Sequence, residues 1–376
     1  MKRHFRRIHL WLSIPFGLII SLICFSGAML TFETEITEWI NRDLFYVNEV
    51  KTEKLPIDKL LHQAEHSLPD SVNITGLTIY PDETRTYQAS LSHPRRASIL
   101  IDPYTGEIKG RSERLPFFST MFRLHRWLLS EFKPGGGMSI GKLVVGISTL
   151  SFVFIVLSGL LLWLPRHFSS LKKSLKFNTG KGKKRLLRDL HVVLGVYFSV
   201  IFLCLTLTGL TWSFQWYRNG FYGLFGVKLT ESANGHGHPQ ASSTANKEKK
   251  DNKPSSTLSY AHWQTVYDQL SKTNPGKKLT ITPGTASVAL EPIGNARATD
   301  RYKFSVENGQ ILDTTPYKDS DPASKARGLV YSIHVGSWGG LLTRILTFLA
   351  AMLGATLPFT GYYLWLSKKT KRKAHR

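Results

Sequence analysis

Four stretches of this 376-residue chain, Leu10 to Phe32, Leu143 to Leu164, His191 to Trp212 and Leu341 to Leu366, are predominantly apolar. Each is close to the roughly 20 residues needed to cross hydrocarbon. Lipid offers the backbone no hydrogen-bond partner, so segments of this kind are predicted to be helices that satisfy their own amides. None of the four contains a carboxylate, and Arg344 is their single internal cation. Lys2, Arg3, Arg6 and Arg7 precede the first span in the manner of a secretion signal. Its apolar run is longer than the roughly 7–15 residues of such a signal and no small-x-small cleavage site follows, so a retained anchor is expected.

The formal net charge of +23 would point to nucleic acid if it were spread over a soluble domain. It is concentrated instead. Residues 1–9 carry four basic groups, Arg166 to Arg188 carry nine and Ser367 to Arg376 carry six, and these segments hold no Asp or Glu. The positive-inside rule makes all three cytoplasmic, touching anionic lipid and no nucleic acid, with both termini inside. The two long connections, Glu33 to Lys142 and Ser213 to Gly340, are then outside. Cys24 and Cys204 both fall within spans, which leaves the outer connections without disulfides and dependent on ordinary cores.

The chain reads as a duplication. His9 is followed 18 residues later by Gly27 in Phe25-Ser26-Gly27, and His191 is followed 18 residues later by Gly209 in Leu207-Thr208-Gly209. Spans two and four end alike, as Ser158-Gly159-Leu160-Leu161-Leu162-Trp163-Leu164 and Thr360-Gly361-Tyr362-Tyr363-Leu364-Trp365-Leu366. Each half is span, outer segment, span, which makes the halves parallel repeats about an axis along the membrane normal. The Ser/Thr-Gly pairs are expected to serve close helix packing by small residues.

The outer segments read as helix followed by antiparallel strands. In the first, Ile57–Glu65 is amphipathic and Ile74–Tyr80, Thr86–Leu91 and Ala97–Ile101 are extended, followed by a Pro/Gly turn at Asp102-Pro103-Tyr104-Thr105-Gly106. In the second, Ala261–Leu270 is helical, and Leu279–Thr282, Ala286–Leu290 and Tyr302–Val306 are extended, with an Asn308-Gly309 turn before Gln310–Leu312. A Gly/Ser/Asn/Lys-rich stretch from Ser232 to Ser256 is a flexible linker by composition.

A histidine at a helix end is ordinarily an interfacial side chain, but four in duplicated positions call for another account. His9 and His191 open spans one and three on the cytoplasmic side, and His125 and His334 precede spans two and four on the outer side. A b-type haem takes two axial ligands from opposite faces, and imidazole is a common choice. The arrangement therefore predicts two haems per chain, an inner one between His9 and His191 and an outer one between His125 and His334. With both axial positions filled, such haems would carry electrons rather than activate oxygen. Arg123 and Arg126 flank His125, while Arg6, Arg7 and Arg188 lie near the inner pair. Each could fork onto a propionate or snorkel to lipid headgroups.

Other histidines carry less. His62 and His66 have metal-ligand spacing on one helical face but lack a third ligand, so a solvated face is expected. His236-Gly237-His238 lies in the linker, and His4, His167 and His375 sit among cytoplasmic basic residues. No nucleophile elbow, phosphate loop or dinucleotide fingerprint is present.

Several motifs together resemble the PepSY-associated transmembrane proteins, which include bacterial iron-regulated membrane proteins and ferric-siderophore reductases. These are Arg7-Ile8-His9-Leu10-Trp11-Leu12, Leu124-His125-Arg126-Trp127-Leu128, Asp189-Leu190-His191 with Gly195, Ile333-His334-Val335-Gly336 and Asp102-Pro103-Tyr104-Thr105-Gly106. The resemblance implies an inner-membrane protein holding haem b on these histidines and passing electrons outward to ferric siderophores in the periplasm. Some longer members carry a C-terminal flavin and nicotinamide reductase module. Arg376 ends this sequence without one, so the electron donor is expected to be a separate cytoplasmic protein or a quinol. A second possibility, from a different class, is that the PepSY-like segments bind peptides, regulate a protease or scaffold iron-uptake machinery without redox activity.

The expected architecture is thus an α-helical membrane protein with four transmembrane helices and two small α+β periplasmic domains, internally duplicated. Its divisions are a cytoplasmic N-terminus with the first span (1–32), a first PepSY-like domain (33–142), the second span (143–164) and a basic loop (165–190). The third span (191–212), a linker with a second PepSY-like domain (213–340), the fourth span (341–366) and a basic tail (367–376) complete it. One irregularity stands out: His125 lies 34 residues before Gly159, whereas His334 lies 27 before Gly361. On this reading the stretch Leu128 to Ser139 absorbs the difference, and the outer pair is less regular than the inner. Topology reporters fused after Lys181 and Arg376 should register as cytoplasmic, and those within Glu53–Pro116 or Lys247–Pro316 as periplasmic. An external signal at Lys181 would overturn both the topology and the assignment of histidines to sides.

Overall fold

A computed structural model describes residues 2–94, 97–130, 139–165, 169, 171–176, 182–227 and 260–373. The linker expected at Ser232 to Ser256 and the Pro134-Gly135-Gly136-Gly137 stretch lie outside the described residues. The chain divides into a helical unit (Met1–Glu33, Pro116–Lys228 and Leu329–Arg376) and a sheet unit (Thr34–Leu115 and Leu229–Gly328).

In the helical unit the first, second and fourth apolar stretches form helices Lys2–Leu30, Ile140–Trp163 and Gly340–Lys373. All three contain segments apolar enough to cross a membrane. Ser139 caps the second, its hydroxyl accepting from the Lys142 amide at 3.3 Å. The third stretch departs from the straight helix expected for 191–212. Lys183–Tyr197 and Ser199–Ser213 meet at a 61° bend, and Leu190–Leu194, which contains His191, is a π-helical turn. A π-turn inserts one residue into the helical ladder and re-aims the side chains around it, which is why such turns collect at functional positions.

Two further helices, Pro116–Trp127 and Pro322–Val335, precede the second and fourth apolar helices. The first of them ends in a reversal in which Leu128 and Leu129 take φ of 47° and 63°. Its last turn then lies so close to the second apolar helix that any Cβ at Gly141 would sit 1.8 Å from the Trp127 carbonyl oxygen. The first apolar helix packs between the second and the fourth, and Ser199–Ser213 packs on the second. Phe202, Val156 and Ala350 are buried at the centre of these helices, with Phe152, Phe198 and Leu353 against them.

The sheet unit corrects the expectation of two separate small domains. Strands β1 (Ile74–Ile79), β2 (Tyr87–Leu91), β3 (Ser98–Ile101) and β4 (Ile108–Ser112) come from the first outer segment. Strands β5 (Leu279–Thr282), β6 (Thr285–Ala289), β7 (Thr299–Phe304) and β8 (Ile311–Thr315) come from the second. They join in one eight-stranded antiparallel sheet of order β4-β3-β2-β1-β5-β6-β7-β8. The junction pairs Leu77 with Ile281, Thr78 with Thr280 and Ile79 with Leu279. Thr78 and Thr280, the middle pair, bring their hydroxyls to 3.1 Å. Each four-stranded meander alone would expose β1 or β5 as an unpaired edge, and pairing the two edges removes both.

Helices Ile57–His66 and Trp263–Thr273 supply the apolar cover. Leu60, Leu61, Trp263 and Val266 share one buried cluster with Ile79, Ile99, Ile281 and Val288, drawn from both halves. The Ile57 amide donates to Gln264 Oε1 at 2.8 Å, and the Tyr260 hydroxyl donates to Glu65. Gly106 at φ +78° and Gly309 at φ +71° turn the two β-hairpins that end each half, in a left-handed conformation that glycine adopts without strain. If the sheet is continuous, Thr78→Cys combined with Thr280→Cys should form an intramolecular disulfide under mild oxidation, since directly opposed residues fall within disulfide reach. A gel shift that either single variant also gives, or none in the double variant, would dissolve the junction.

Candidate functional site: four seated histidines

All four singled-out histidines lie in the helical unit, and each ring is held in the same way by another helix. His9 Nδ1 lies 3.0 Å from the Ile155 carbonyl oxygen and 3.2 Å from Ser158 Oγ. His191 Nδ1 lies 3.2 Å from Leu357 O and 2.8 Å from Thr360 Oγ1. His125 Nδ1 lies 2.9 Å from Ile23 O and 3.5 Å from Ser26 Oγ. His334 Nδ1 lies 3.1 Å both from Leu205 O and from Thr208 Oγ1. In every case the carbonyl belongs to the residue three before a Ser or Thr, and that hydroxyl itself donates back to a carbonyl one turn earlier. A carbonyl can only accept, so Nδ1 carries the proton and the tautomer leaves Nε2 with its lone pair.

A glycine follows each Ser or Thr, and it makes room for the ring. Cβ atoms added at Gly159, Gly361, Gly27 and Gly209 would lie 3.3, 3.3, 2.9 and 3.1 Å from Cε1 of His9, His191, His125 and His334 respectively. The Ser/Thr-Gly pairs, expected to serve helix packing, are thus the seats of the histidines: the hydroxyl and the carbonyl behind it hold Nδ1, and the glycine admits the ring edge. The sequence carried this signal as a fourfold repeat of the same dipeptide, but nothing local says which histidine each one receives.

The seats are filled within each half and the rings meet between halves. His9 on the first apolar helix sits on the second, and His125, which leads into the second, sits on the first. His191 and His334 repeat this on the fourth and third. His9 and His191 have ring centroids 6.3 Å apart with planes at 84°, and His125 and His334 have centroids 6.1 Å apart with planes at 50°. Two imidazoles sharing one metal atom, each nitrogen at roughly 2 Å with its ring centroid a further ~1 Å back, have centroids about 6 Å apart. The spacing, the tautomer and the glycine clearances all fit a bis-imidazole group of the haem type. Among the described residues no cluster of three or more His, Cys, Asp or Glu side chains could hold a bare metal ion.

The unequal offsets of His125 and His334 from the following glycines carry no structural consequence, because those glycines seat the other two histidines. What matters is where each outer histidine meets the preceding apolar helix, at Ser26-Gly27 or Thr208-Gly209. Desolvation holds the His125 and His334 imidazoles below their usual pKa, with smaller pushes from His125 on His334 and from the Arg126 charge on both, and so keeps them neutral at physiological pH. Around the outer pair, the Trp212 ring lies 5.0 Å from His334, a neighbour that no sequence spacing singles out. Arg126 stacks on Trp127 and Phe122 at 5.0 and 5.5 Å, and Arg123 donates to Leu129 O at 3.2 Å. Near the inner pair, Arg6, Arg7 and Arg188 are exposed, while Arg185 pairs with the buried Asp189, two residues before His191, at 3.2 Å. His62 and His66 meet edge to face in the sheet unit, with ring centroids 4.5 Å apart.

The family model described as the PepSY-associated TM region matches residues 6–368, nearly the whole chain. No curated protein gives a significant match. The seat geometry makes a direct prediction. Gly27→Val, whose side chain would overlap the His125 ring, should destabilise the detergent-solubilised protein by about 1–3 kcal/mol through overpacking. Gly220→Val, at a helical glycine with open space around it, should cost no more than helix propensity. Thermal unfolding followed by circular dichroism separates them, and equal effects would mean that Gly27 is not a seat.

Proposed function

The chain belongs to the PepSY-associated TM region family and is a membrane protein, and from its seated histidines we propose that it holds two b haems and carries electrons across the membrane. The observation that supports this is the fourfold repetition of one arrangement, an imidazole with Nδ1–H on a carbonyl, Nε2 free, and a second such ring at about 6 Å. His9 and His191 would hold the inner group, and His125 and His334 the outer one. Bound there, haem supplies one-electron transfer with no open position for substrate.

The protein's own part is to orient and to insulate. The Nδ1–H···O=C bond fixes each ring's rotation and raises the basicity of Nε2, as an acceptor behind a ligating imidazole does at other sites. The seat on the first apolar helix, Ser26-Gly27, lies 17–18 residues from His9, so a rise of 1.5 Å per residue sets the two sites about 26 Å apart along the helix. Phe202, Phe152, Phe198, Val156 and Ala350 fill the centre of the helices with apolar matter. That layer keeps water and ions from following the electrons.

Electrons would enter at the His9/His191 end, from a cytoplasmic protein or a quinol, and leave at the His125/His334 end. This assignment follows the cytoplasmic placement of the basic segments in a bacterial inner membrane with both termini inside. The acceptor proposed is a ferric siderophore in the periplasm, whose oxygen-rich chelation weakens on reduction to Fe(II). Trp127, Trp338 and Arg126 are suited to meet an anionic complex there, since a guanidinium forks onto carboxylate.

Pyridine haemochrome analysis of the purified protein should give close to two b haems per chain. His9→Ala or His191→Ala should each remove about one, as should His125→Ala or His334→Ala. The chemically reduced protein should be rapidly reoxidised by ferric siderophores with ferrous iron appearing, and His125→Ala or His334→Ala should abolish both. A protein free of haem from haem-replete cells would end the redox reading and leave peptide binding or protease regulation by the sheet unit. Haem indifferent to every ferric complex would leave a carrier with another acceptor.

A further inference from the structure

The indole of Trp163 is the last side chain of helix Ile140–Trp163. Its Nε1 is sealed from solvent yet has no hydrogen-bond partner among the described residues. An indole N–H in that condition forgoes a bond whose loss is costly, and buried indoles ordinarily find an acceptor. Trp163 lies one turn beyond Gly159, the glycine that receives the His9 ring edge. Residues four apart share a helix face, and helical side chains lean toward the N-terminus over the preceding turn. The Trp163 side chain therefore leaves the helix on the face that seats His9, one turn beyond Gly159.

A cation stands at the same helix end. Lys2 Nζ donates to Leu164 O at 2.7 Å and reaches Leu162 O at 3.4 Å. The last carbonyls of a helix carry partial negative charge that would repel an anion. Lys2 occupies two of them, and its positive charge makes this end of the helix hospitable to a carboxylate. Lys2 also lies seven residues before His9, two helical turns along the same face. An orphaned donor and a cation thus flank the His9 side of the inner pair.

Resting on the haem reading above, we infer that the Trp163 indole N–H donates a hydrogen bond to a carboxylate of the tetrapyrrole held by His9 and His191. It is a positioning residue, binding the periphery of the group and leaving the iron to the two imidazoles. Trp163→Phe keeps the aromatic volume and deletes the donor.

The test uses the full-length protein carrying His125→Ala, so that only the inner pair is occupied. Haem transfer to excess apomyoglobin is timed with Trp163 and with Trp163→Phe, after loading with haem and, in parallel, with its dimethyl ester. A lost hydrogen bond to a charged group should speed release of haem roughly ten-fold and shift the propionate bending mode in the resonance Raman spectrum. The ester, which has no charged carboxylate, should leave at the same rate from both proteins, so the coupling between N–H and carboxylate is isolated. Equal acceleration of haem and ester would show that the indole acts only through packing and would overturn the inference, as would no acceleration of either. A protein that binds no haem with Trp163 in place would sink the haem reading itself, an outcome distinct from both.

Discussion

The hydrogen bond from an imidazole Nδ1–H to a helix carbonyl, made four times, is the constraint on which the helical unit depends. It consumes an acceptor that already serves the helix ladder, so the acceptor must have a spare lone pair turned outward and a neighbour small enough to let the ring approach. Glycine one residue past the Ser or Thr provides the approach, and the hydroxyl provides a second oxygen for Nδ1–H. The same bond decides the chemistry left to the ring. With the proton held on Nδ1, Nε2 is an available donor atom, and the ring cannot rotate to hide it.

Duplication divides the labour in both units. In the helical unit each half holds its own two histidines but has no second ring opposite either, and the other half supplies it. In the sheet unit each half folds a helix over four strands but leaves one edge strand unpaired, and the other half closes that edge through Thr78 and Thr280. One half by itself would have seated imidazoles with nothing across from them and an open sheet edge, a state that invites a partner. Carrying both halves in one chain makes that partner permanent, and the halves differ in detail, as at the π-turn of His191 and at Tyr362 against Leu160. Tyr362 donates to the Ile14 carbonyl at 2.9 Å across the first apolar helix, filling the space left by Gly17.

Several buried hydroxyls within the bundle are satisfied by the backbone. Ser26, Ser158, Thr208 and Ser199 are buried with their hydroxyls turned onto backbone carbonyls, which satisfies them without opening the apolar interior. Phe202, Val156 and Ala350, with Phe152 and Phe198 against them, form an apolar cluster between the two histidine pairs.

Composition and periodicity by themselves determined the apolar helices, the helix-then-strands order of the outer segments, the paired motifs of the two halves and the set of four histidines that flank the apolar stretches. These are local properties, since a segment in lipid must satisfy its own amides and alternation along a strand announces which face is buried. The tertiary structure alone decided three things. It joined two meanders into one sheet, because edge pairing between Leu77 and Ile281 costs no special residue and leaves no mark in either strand. It bent the third apolar stretch at Phe198, where the π-turn around His191 shifts the ladder by a residue that no propensity records. And it matched each histidine to its Ser/Thr-Gly seat, because His9 and Ser158, or His334 and Thr208, are more than 100 residues apart and a seat is made only when two helices meet.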